Sequence, residues 1–130
     1  MSFLDLVQRR QSVRTYLDKP IPRDLIDPCL EAARFAPSAT NAQPWTFVVV
    51  DEPELRARVA GATFNAAASF NRFVLAAQAI VVVVAERPTM TSRIGSMVKG
   101  RDFRPMDIGM AACNFINAAA DAGLGTCVLG

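Results

Sequence analysis

Apolar residues recur along this 130-residue chain with two spacings, one that predicts helices and one that predicts strands. Apolar positions three and four residues apart mark one face of a helix, whereas short unbroken runs of β-branched residues are typical of buried strands. The predicted helices cover residues 3–10, 23–35, 52–73 and 106–122. The predicted strands cover residues 45–51, 79–85 and 126–129. No internal repeat or linker interrupts them, and we expect residues 1–130 to form a single domain.

Four features refine this pattern. Pro28 removes one backbone hydrogen bond from the second helix and is predicted to kink or shorten its first turns. Gly123 is predicted to end the last helix as the residue just past its C-terminus. The run over residues 79–85 is continuous rather than alternating, which predicts a strand covered on both faces. The sequence stops at Gly130 within a predicted strand, and termini are normally polar and exposed. We therefore expect the chain to lack its C-terminal part.

The composition narrows the class of protein. An apolar fraction of 52% is high for this length, so we expect apolar surface to be buried against a partner chain. No apolar run approaches the roughly 20 residues of a membrane span, and the N-terminus lacks the charge order of a signal peptide. A cytoplasmic protein that binds no membrane is expected. The net charge of +2 is too small for a typical nucleic-acid binder. Arg supplies 12 of the 14 basic residues, which suits recognition of phosphate, although a GC-rich genome explains the count equally well.

The chain has no His, and its three Cys are dispersed without a CxxC pair. The common zinc sites and the Ser-His and Cys-His nucleophiles are therefore excluded, and we predict no metal site. Dispersed cysteines suit a reducing compartment. We interpret Cys113 as a small buried residue, and Asp102 and Asp107 as residues at a helix entry. Any chemistry must come from carboxylates, Arg, hydroxyls or a cofactor.

Three polar stretches carry candidate chemistry. In the first, Arg10, Ser12 and Arg14 alternate just past the first helix, and two guanidinium groups flanking a hydroxyl suit a phosphate. A solvated basic cap on that helix explains them as well. The second stretch, residues 36–45, packs hydrogen-bonding side chains between two prolines and ends at the single Trp. Asn and Gln read a heterocycle edge of mixed polarity, whereas turn chemistry is the alternative.

The third stretch, residues 123–130, reads GLGTCVLG. Its glycines permit a ligand to approach the backbone closely. A helix end followed by a core strand is the alternative, and it explains Gly123 better than Gly125 or Gly130.

Taken in order, these stretches resemble the nitroreductase family of FMN-dependent oxidoreductases. The matching positions of the first stretch are Arg10, Ser12 and Arg14. The family phrase PSxxNxQPW is matched by Pro37, Ser38, Asn41, Gln43, Pro44 and Trp45. The late DIGxA helix and the GLGT that follows it are matched by residues 107–111 and 123–126. The resemblance covers essentially the whole chain. It implies an α+β, three-layer fold with a central, mainly antiparallel sheet flanked by helices.

The resemblance also implies a homodimer with FMN at the interface. Residues Arg10, Ser12 and Arg14 of one chain would hold the phosphate and the pyrimidine side, with Gln11 contributing through its backbone or side chain. From the partner chain the site would take Pro37, Ser38, Asn41 and Gln43. The backbone of Val128, Leu129 and Gly130 would lie near the reactive N5 atom. An Asn after the middle helix would complete the site, for which we choose Asn71, with Asn65 as the rival.

The implied activity is hydride transfer from NAD(P)H to small electron-poor acceptors such as nitroarenes or quinones, in ping-pong order. The flavin carries this chemistry, so no side chain is assigned as catalytic. A flavin-binding carrier or sensor, and an incomplete fragment without activity, are the alternatives. The sequence leaves open the natural acceptor, the choice between NADH and NADPH, and the role of residues 86–105.

Overall fold

The first helix, α1, covers Phe3–Arg9 in the computed structural model, which describes residues 2–67, 69–87 and 100–129. A capping box fixes its start: Ser2 Oγ accepts a hydrogen bond from the amide of Asp5, whose carboxylate accepts one from the amide of Ser2. The predicted helix is confirmed, but none of its residues is buried. Phe3 and Leu4 are 73% and 64% exposed, so the apolar side of α1 has no cover within the described chain.

The second helix, α2, covers Arg23–Arg34 and buries Ile26, Cys29 and Ala33 on one side. Pro28 lies inside α2 with an exposed side chain. The predicted shortening of the first turns is therefore wrong, because the helix begins at Arg23. Packing of the buried face against the last helix outweighs the one hydrogen bond that proline removes.

Strands β1, Trp45–Val50, and β2, Ile80–Ala85, form a two-stranded antiparallel sheet. Trp45 lies opposite Ala85, and Val50 lies opposite Ile80. Both strands lie where they were predicted. Each residue of β2 keeps partial exposure, so the prediction of a strand covered on both faces is wrong for the described chain.

Helix α3 covers Pro53–Gly61, much less than the predicted 52–73. It ends because the hydroxyl of Thr63 donates to the carbonyl of Ala60 at 2.7 Å, which satisfies a carbonyl that another helical turn would have used. A short 3₁₀ helix, Arg72–Ala76, follows after an irregular segment and packs against α3.

The last helix, α4, covers Arg104–Asp121 and packs along α2, with further contacts to α1 and β2. The side-chain amide of Asn114 donates to the carbonyl of Ala32 at 3.1 Å and joins α4 to α2. On the sheet side, the ring of Phe115 stacks on Phe47 with centroids 6.1 Å apart. The core lies where α2, α4 and the sheet meet. Ala36, Trp45 and Ala111 are buried together there. The predicted α+β class is confirmed.

Candidate functional site

The C-terminus of α4 is closed by a turn that directs the rest of the chain back along the molecule. The amide of Leu124 donates to the carbonyl of Ala119 at 2.8 Å, and the amide of Gly123 donates to that of Ala120 at 3.1 Å. Gly123 has a φ of +77°, which a residue without Cβ adopts at no steric cost. This is the Schellman arrangement, and it confirms the predicted role of Gly123.

Past this turn, residues 124–127 lie beside the segment that follows α1. Ser12 and Thr126 form an isolated parallel bridge, in which the Val13 amide donates to the Thr126 carbonyl at 2.9 Å. The predicted third strand over residues 126–129 is wrong, because this single bridge is all that forms there. A Cβ built at Gly125 would lie 2.9 Å from Cγ1 of Val13. The close approach explains Gly125 as a packing requirement, and it brings the first and third polar stretches together.

Tyr16 fixes the turn that carries this junction. Its hydroxyl donates to the carbonyl of Val13 at 2.9 Å, and its ring lies 6.3 Å from the ring of Phe73. Burial raises the pKa of the Tyr16 phenol, and the nearby Cys127 thiol acts in the same direction. The neutral, hydrogen-bonded form is thereby favoured, so Tyr16 holds residues 13–16 against the 3₁₀ helix.

A cavity of about 350 Å³ opens beside this junction. Four of the predicted site residues line it: Arg14, Asn71, Val128 and Leu129. Phe70, Phe73 and Cys127 complete its wall. The ion pairs of the described chain involve neither Arg14 nor Arg10. One cation without a carboxylate, one amide and aromatic walls suit a planar ligand that carries negative charge.

The remaining residues of the first and third stretches lie near this cavity in sequence but do not line it. Arg10 directly follows α1 and is half-buried, while Gln11 and Ser12 are exposed. Gly130, and most of the segment 86–105, lie outside the described residues.

Asn71 and Asn65 differ in their surroundings. The side-chain amide of Asn71 donates to the carbonyl of Thr63 at 3.1 Å while the residue lines the cavity beside Arg14. Asn65 is exposed, and its Oδ1 accepts a hydrogen bond from the amide of Ala67 at 2.9 Å. Of the two, Asn71 is the one that lines the cavity.

The loop of the second stretch has an unusual backbone. Thr40 and Asn41 have a φ of 54° and Gln43 a φ of 45°, in the left-handed region that favours glycine. Ser38 Oγ accepts a hydrogen bond from the Gln43 amide at 2.9 Å. Pro37, Asn41 and Gln43 are exposed, and the side-chain hydrogen bonds of residues 2–67, 69–87 and 100–129 include none from Asn41 or Gln43. The side-chain amides of Asn41 and Gln43 are therefore available to a ligand.

Asp107 of α4 holds this loop, and the sequence interpretation missed that contact. Its Oδ2 accepts a hydrogen bond from the amide of Ala39 at 3.1 Å. It is only 2% exposed, so its assignment as a mere helix-entry residue is incomplete. The signal was available, because Asp107 precedes the buried Ala111 by four residues and therefore shares the inward face of α4.

The predicted residues fall into two groups that share no cavity. Asp107 holds the loop that contains Ser38 near the start of α4. No residue of the second stretch lines the cavity that contains Arg14.

A second cavity, of about 530 Å³, lies between the sheet and α4. Its wall includes Phe47, Val82 and Ile116, and no charged residue of the described chain lines it. It offers no cation to a phosphate group. In the same described ranges no three His, Cys, Asp or Glu residues are grouped to hold a metal ion, and none of the helices is long and apolar enough to span a bilayer.

With the fold and the three stretches described, comparison with known proteins identifies the family. The chain belongs to the nitroreductase family, whose family model matches residues 7–130. The resemblance found in the sequence is thereby confirmed.

Individual relatives agree. The chain is 30% identical over 125 residues to a "Putative NADH dehydrogenase/NAD(P)H nitroreductase" of Methanothermobacter thermautotrophicus. These 125 residues cover 96% of this chain and 59% of that protein. A nitroreductase family protein of Clostridium novyi NT superposes with a TM-score of 0.83 at 27% identity, over 100% of this chain and 70% of that one. An FMN-dependent nitroreductase of Clostridium difficile gives 0.77 at 25% identity, over 98% and 60%. The chain thus spans less than two thirds of the length of the first and third of these.

Proposed function

We propose that this protein is an FMN-dependent oxidoreductase that takes hydride from NAD(P)H and passes it to small electron-poor acceptors such as nitroarenes or quinones. The observation that carries the proposal is the cavity formed by Arg14, Asn71, Val128 and Leu129 in a chain of the nitroreductase family. The FMN-dependent relative of Clostridium difficile supports the choice of cofactor. The two substrates are proposed to use one pocket in turn.

When bound, FMN supplies the hydride-transfer chemistry, and the protein supplies binding, orientation and charge. Arg10, Ser12 and Arg14 are proposed to bind the phosphate and the pyrimidine edge, with Gln11 contributing beside them. Arg14 suits this role because no described carboxylate neutralises it. A guanidinium beside the bound ring would stabilise negative charge on it through charge-assisted hydrogen bonds.

The other wall of the pocket has two parts in the proposal. Asn71 presents its amide from the 3₁₀ region, where its bond to Thr63 limits its rotation. Val128 and Leu129, with Gly130, are proposed to lie along the reacting edge. Val128 is 64% exposed, so this segment is open to a ligand.

A homodimer completes the site in this proposal. Because no residue of the Ser38 loop lines the cavity of its own chain, the loop is proposed to reach the cavity of the partner chain through a pairing of α4 with its symmetry copy. A two-fold axis generates two such sites at once. Pro37, Ser38, Asn41 and Gln43 would then be the partner's contribution.

The outward face of α4 suits such a pairing. Met106 is 57% exposed, and Gly109 and Cys113 follow on the same side. The prediction that Cys113 is buried is wrong for a single chain, and its exposure would be removed in the dimer. The three residues are uncharged and two are small, which permits helices to approach closely. All three cysteines are free thiols, which is consistent with the proposed cytoplasmic location.

Titration of the protein with FMN tests the proposal, on a sample whose intact mass is known. Visible flavin bands, with about one FMN per chain and bleaching by NADH under argon, are expected. Arg14→Ala should weaken FMN binding by about tenfold or more, the usual worth of a charge-assisted hydrogen bond. Arg58→Ala removes an exposed guanidinium from α3 and serves as the matched control.

Protein that binds no FMN would contradict the proposal. Protein that is reduced by NADH but does not turn over nitroarenes or quinones would favour a flavin-binding carrier or sensor instead.

A further inference from the structure

The loop over residues 38–43 is held in a conformation that its own residues disfavour. Thr40, Asn41 and Gln43 all have positive φ, and none of them is glycine. Thr40 is β-branched, for which this region is a genuine outlier. Strained residues of this kind persist only where the surrounding structure determines them, and they concentrate at functional sites. Something outside the three residues must therefore hold the loop.

The side chains of Ser38 and Asp107 hold this loop. Ser38 Oγ accepts a hydrogen bond from the Gln43 amide at 2.9 Å and closes the loop on itself. Asp107 Oδ2 accepts from the Ala39 amide at 3.1 Å, across 68 residues of sequence. Among the described residues, the Asp107 bond joins the loop to α4 and so helps to fix where the loop lies on the molecule.

The surroundings of Asp107 show how much depends on this bond. The residue is 2% exposed, and its Oδ1 has no hydrogen-bond partner among the described residues. Its neighbours on α4 include Ile108 and Ala111, which pack in the core with Trp45. A polar group buried among apolar side chains is costly unless it is bonded. The Ala39 amide provides the single bond that compensates for the burial of Asp107.

We propose that Asp107 is a positioning residue that presents the 38–43 loop to the cofactor. This inference rests on the proposed function, in which Ser38, Asn41 and Gln43 contact FMN. Asp107 touches no ligand itself. It acts through the Ala39 amide, and the loop that it holds leaves the side-chain amides of Asn41 and Gln43 free for recognition. A loop set in place before binding lowers the ordering cost of the complex.

Asp107 also lies in the first turn of α4, where a carboxylate is favourable to the helix dipole. Two variants separate these roles. Asp107→Asn has the same shape and keeps an acceptor for the Ala39 amide but lacks a carboxylate. Asp107→Leu keeps the volume and removes the acceptor. If Asp107 acts by holding the loop, Asp107→Asn should retain the protection of the Ala39 amide and the FMN affinity that Asp107→Leu loses. If Asp107 acts through the helix dipole, both variants should lose them.

Hydrogen exchange of the Ala39 amide in protein without FMN is the first measurement. Its protection should fall by about tenfold in Asp107→Leu and stay within about threefold of wild type in Asp107→Asn. Amides in the middle of α2 should be unchanged. Equal protection of Ala39 in all three proteins would overturn the proposal.

The dissociation constant for FMN is the second measurement. Binding should weaken by about tenfold in Asp107→Leu and by less than about threefold in Asp107→Asn. Equal affinities of the two variants would overturn the positioning role even if the exchange result held. Wild-type protein that binds no FMN would instead overturn the proposed function, and the exchange result would then report on the loop alone.

A donor-side variant covers the case in which Asp107→Leu does not fold. Ala39→Pro removes the same bond by deleting the N–H group. Ser38 has a ψ of 153°, which is the region that a residue before proline adopts. The first position of a 3₁₀ turn suits the φ of proline. Loss of FMN affinity by about tenfold is expected, and unchanged affinity would count against the role of Asp107.

Discussion

Val13 and Gly125 lie so close together that a Cβ at position 125 would be 2.9 Å from Val13 Cγ1 and 3.0 Å from its Cβ. Real Cβ contacts are longer, so any other residue at this position requires Val13 or the backbone of the Ser12–Thr126 bridge to shift. The segment that carries Arg14 and the segment that carries Val128 are joined by this contact.

Gly125→Ala should destabilise the fold by about 1–3 kcal/mol, the usual cost of inserting a methyl group into a packed site. The contact is with a branched side chain rather than a flexible one, so relief requires movement of the backbone. Urea denaturation measures the change. Gly61→Ala is the matched control, because nothing lies within 4 Å of its Cβ. A variant at position 125 that is as stable as wild type would show that the bridge yields easily.

Replacing Asn71 should affect FMN binding more than replacing Asn65. Asn71→Ala removes the amide beside Arg14 and its bond to the Thr63 carbonyl, and we expect FMN affinity to fall by about fivefold to tenfold. Asn65→Ala, at an exposed position, should change it by less than about twofold. Fluorescence titration with FMN decides between them. The reverse order would make Asn65 the flavin ligand.

The start of α3 should weaken in acid. Glu52 caps this helix through hydrogen bonds to its carboxylate from the amides of Leu55 at 2.7 Å and Glu54 at 3.0 Å. The bonds from Leu55 and then Glu54 lower the pKa of Glu52 below its usual 4.5. A carboxylate with a lowered pKa in the folded state stabilises it above the unfolded pKa, and that contribution is lost as pH falls through the folded value.

Comparison of wild type with Glu52→Gln at pH 7 and at pH 3 isolates this effect. Wild type should be the more stable at pH 7, and the difference in unfolding free energy should shrink as the pH falls below about 4. Glu54→Gln, which removes an exposed carboxylate from the same turn, should show a much smaller change. A difference that is independent of pH would rule out the charged cap.

Gly109→Glu should weaken the proposed dimer without disturbing the chain. No atom lies within 4 Å of a Cβ at Gly109, so the fold accommodates a side chain there. A charge on the outward face of α4 opposes burial against a second copy. Sedimentation velocity should show more monomer, with the circular dichroism unchanged. Gly61→Glu places the same charge on α3 and should leave the mass distribution as in wild type.

Periodicity predicted the elements that pack against each other. The buried face of α2, with Ile26 and Cys29, repeats at helical spacing, and the valines of β2 leave little choice but a strand. Periodicity did not predict where α3 ends, because local hydrogen bonds determine that point. The alanine-rich segment after Glu52 contains no sequence signal that predicts the hydrogen bond from Thr63 at the end of α3. The predicted helix is therefore longer than α3.

The candidate site shows the same division. The chemical types and spacing of Arg10, Ser12 and Arg14 are visible in the sequence, and so is the density of the second stretch. The positive φ of Thr40 and Asn41 is not visible, because neither residue is glycine. The loop that carries them is held through the neighbouring Ala39 amide, which donates to Asp107 far along the chain, and only the folded arrangement brings these two residues together.

The sheet has a consequence for handling the protein. Among the described residues, Val48 and its neighbours in β1 pair only with β2, so each strand keeps one row of backbone donors and acceptors without a strand beside it. Such a row is a template for another extended chain, and the valine-rich sequence of β2 contains no charge to repel one. At high concentration the chain is therefore expected to grow intermolecular β-structure from these edges. Fibril formation, rather than loss of cofactor, would then limit the storage life of a sample. An amyloid dye would detect it.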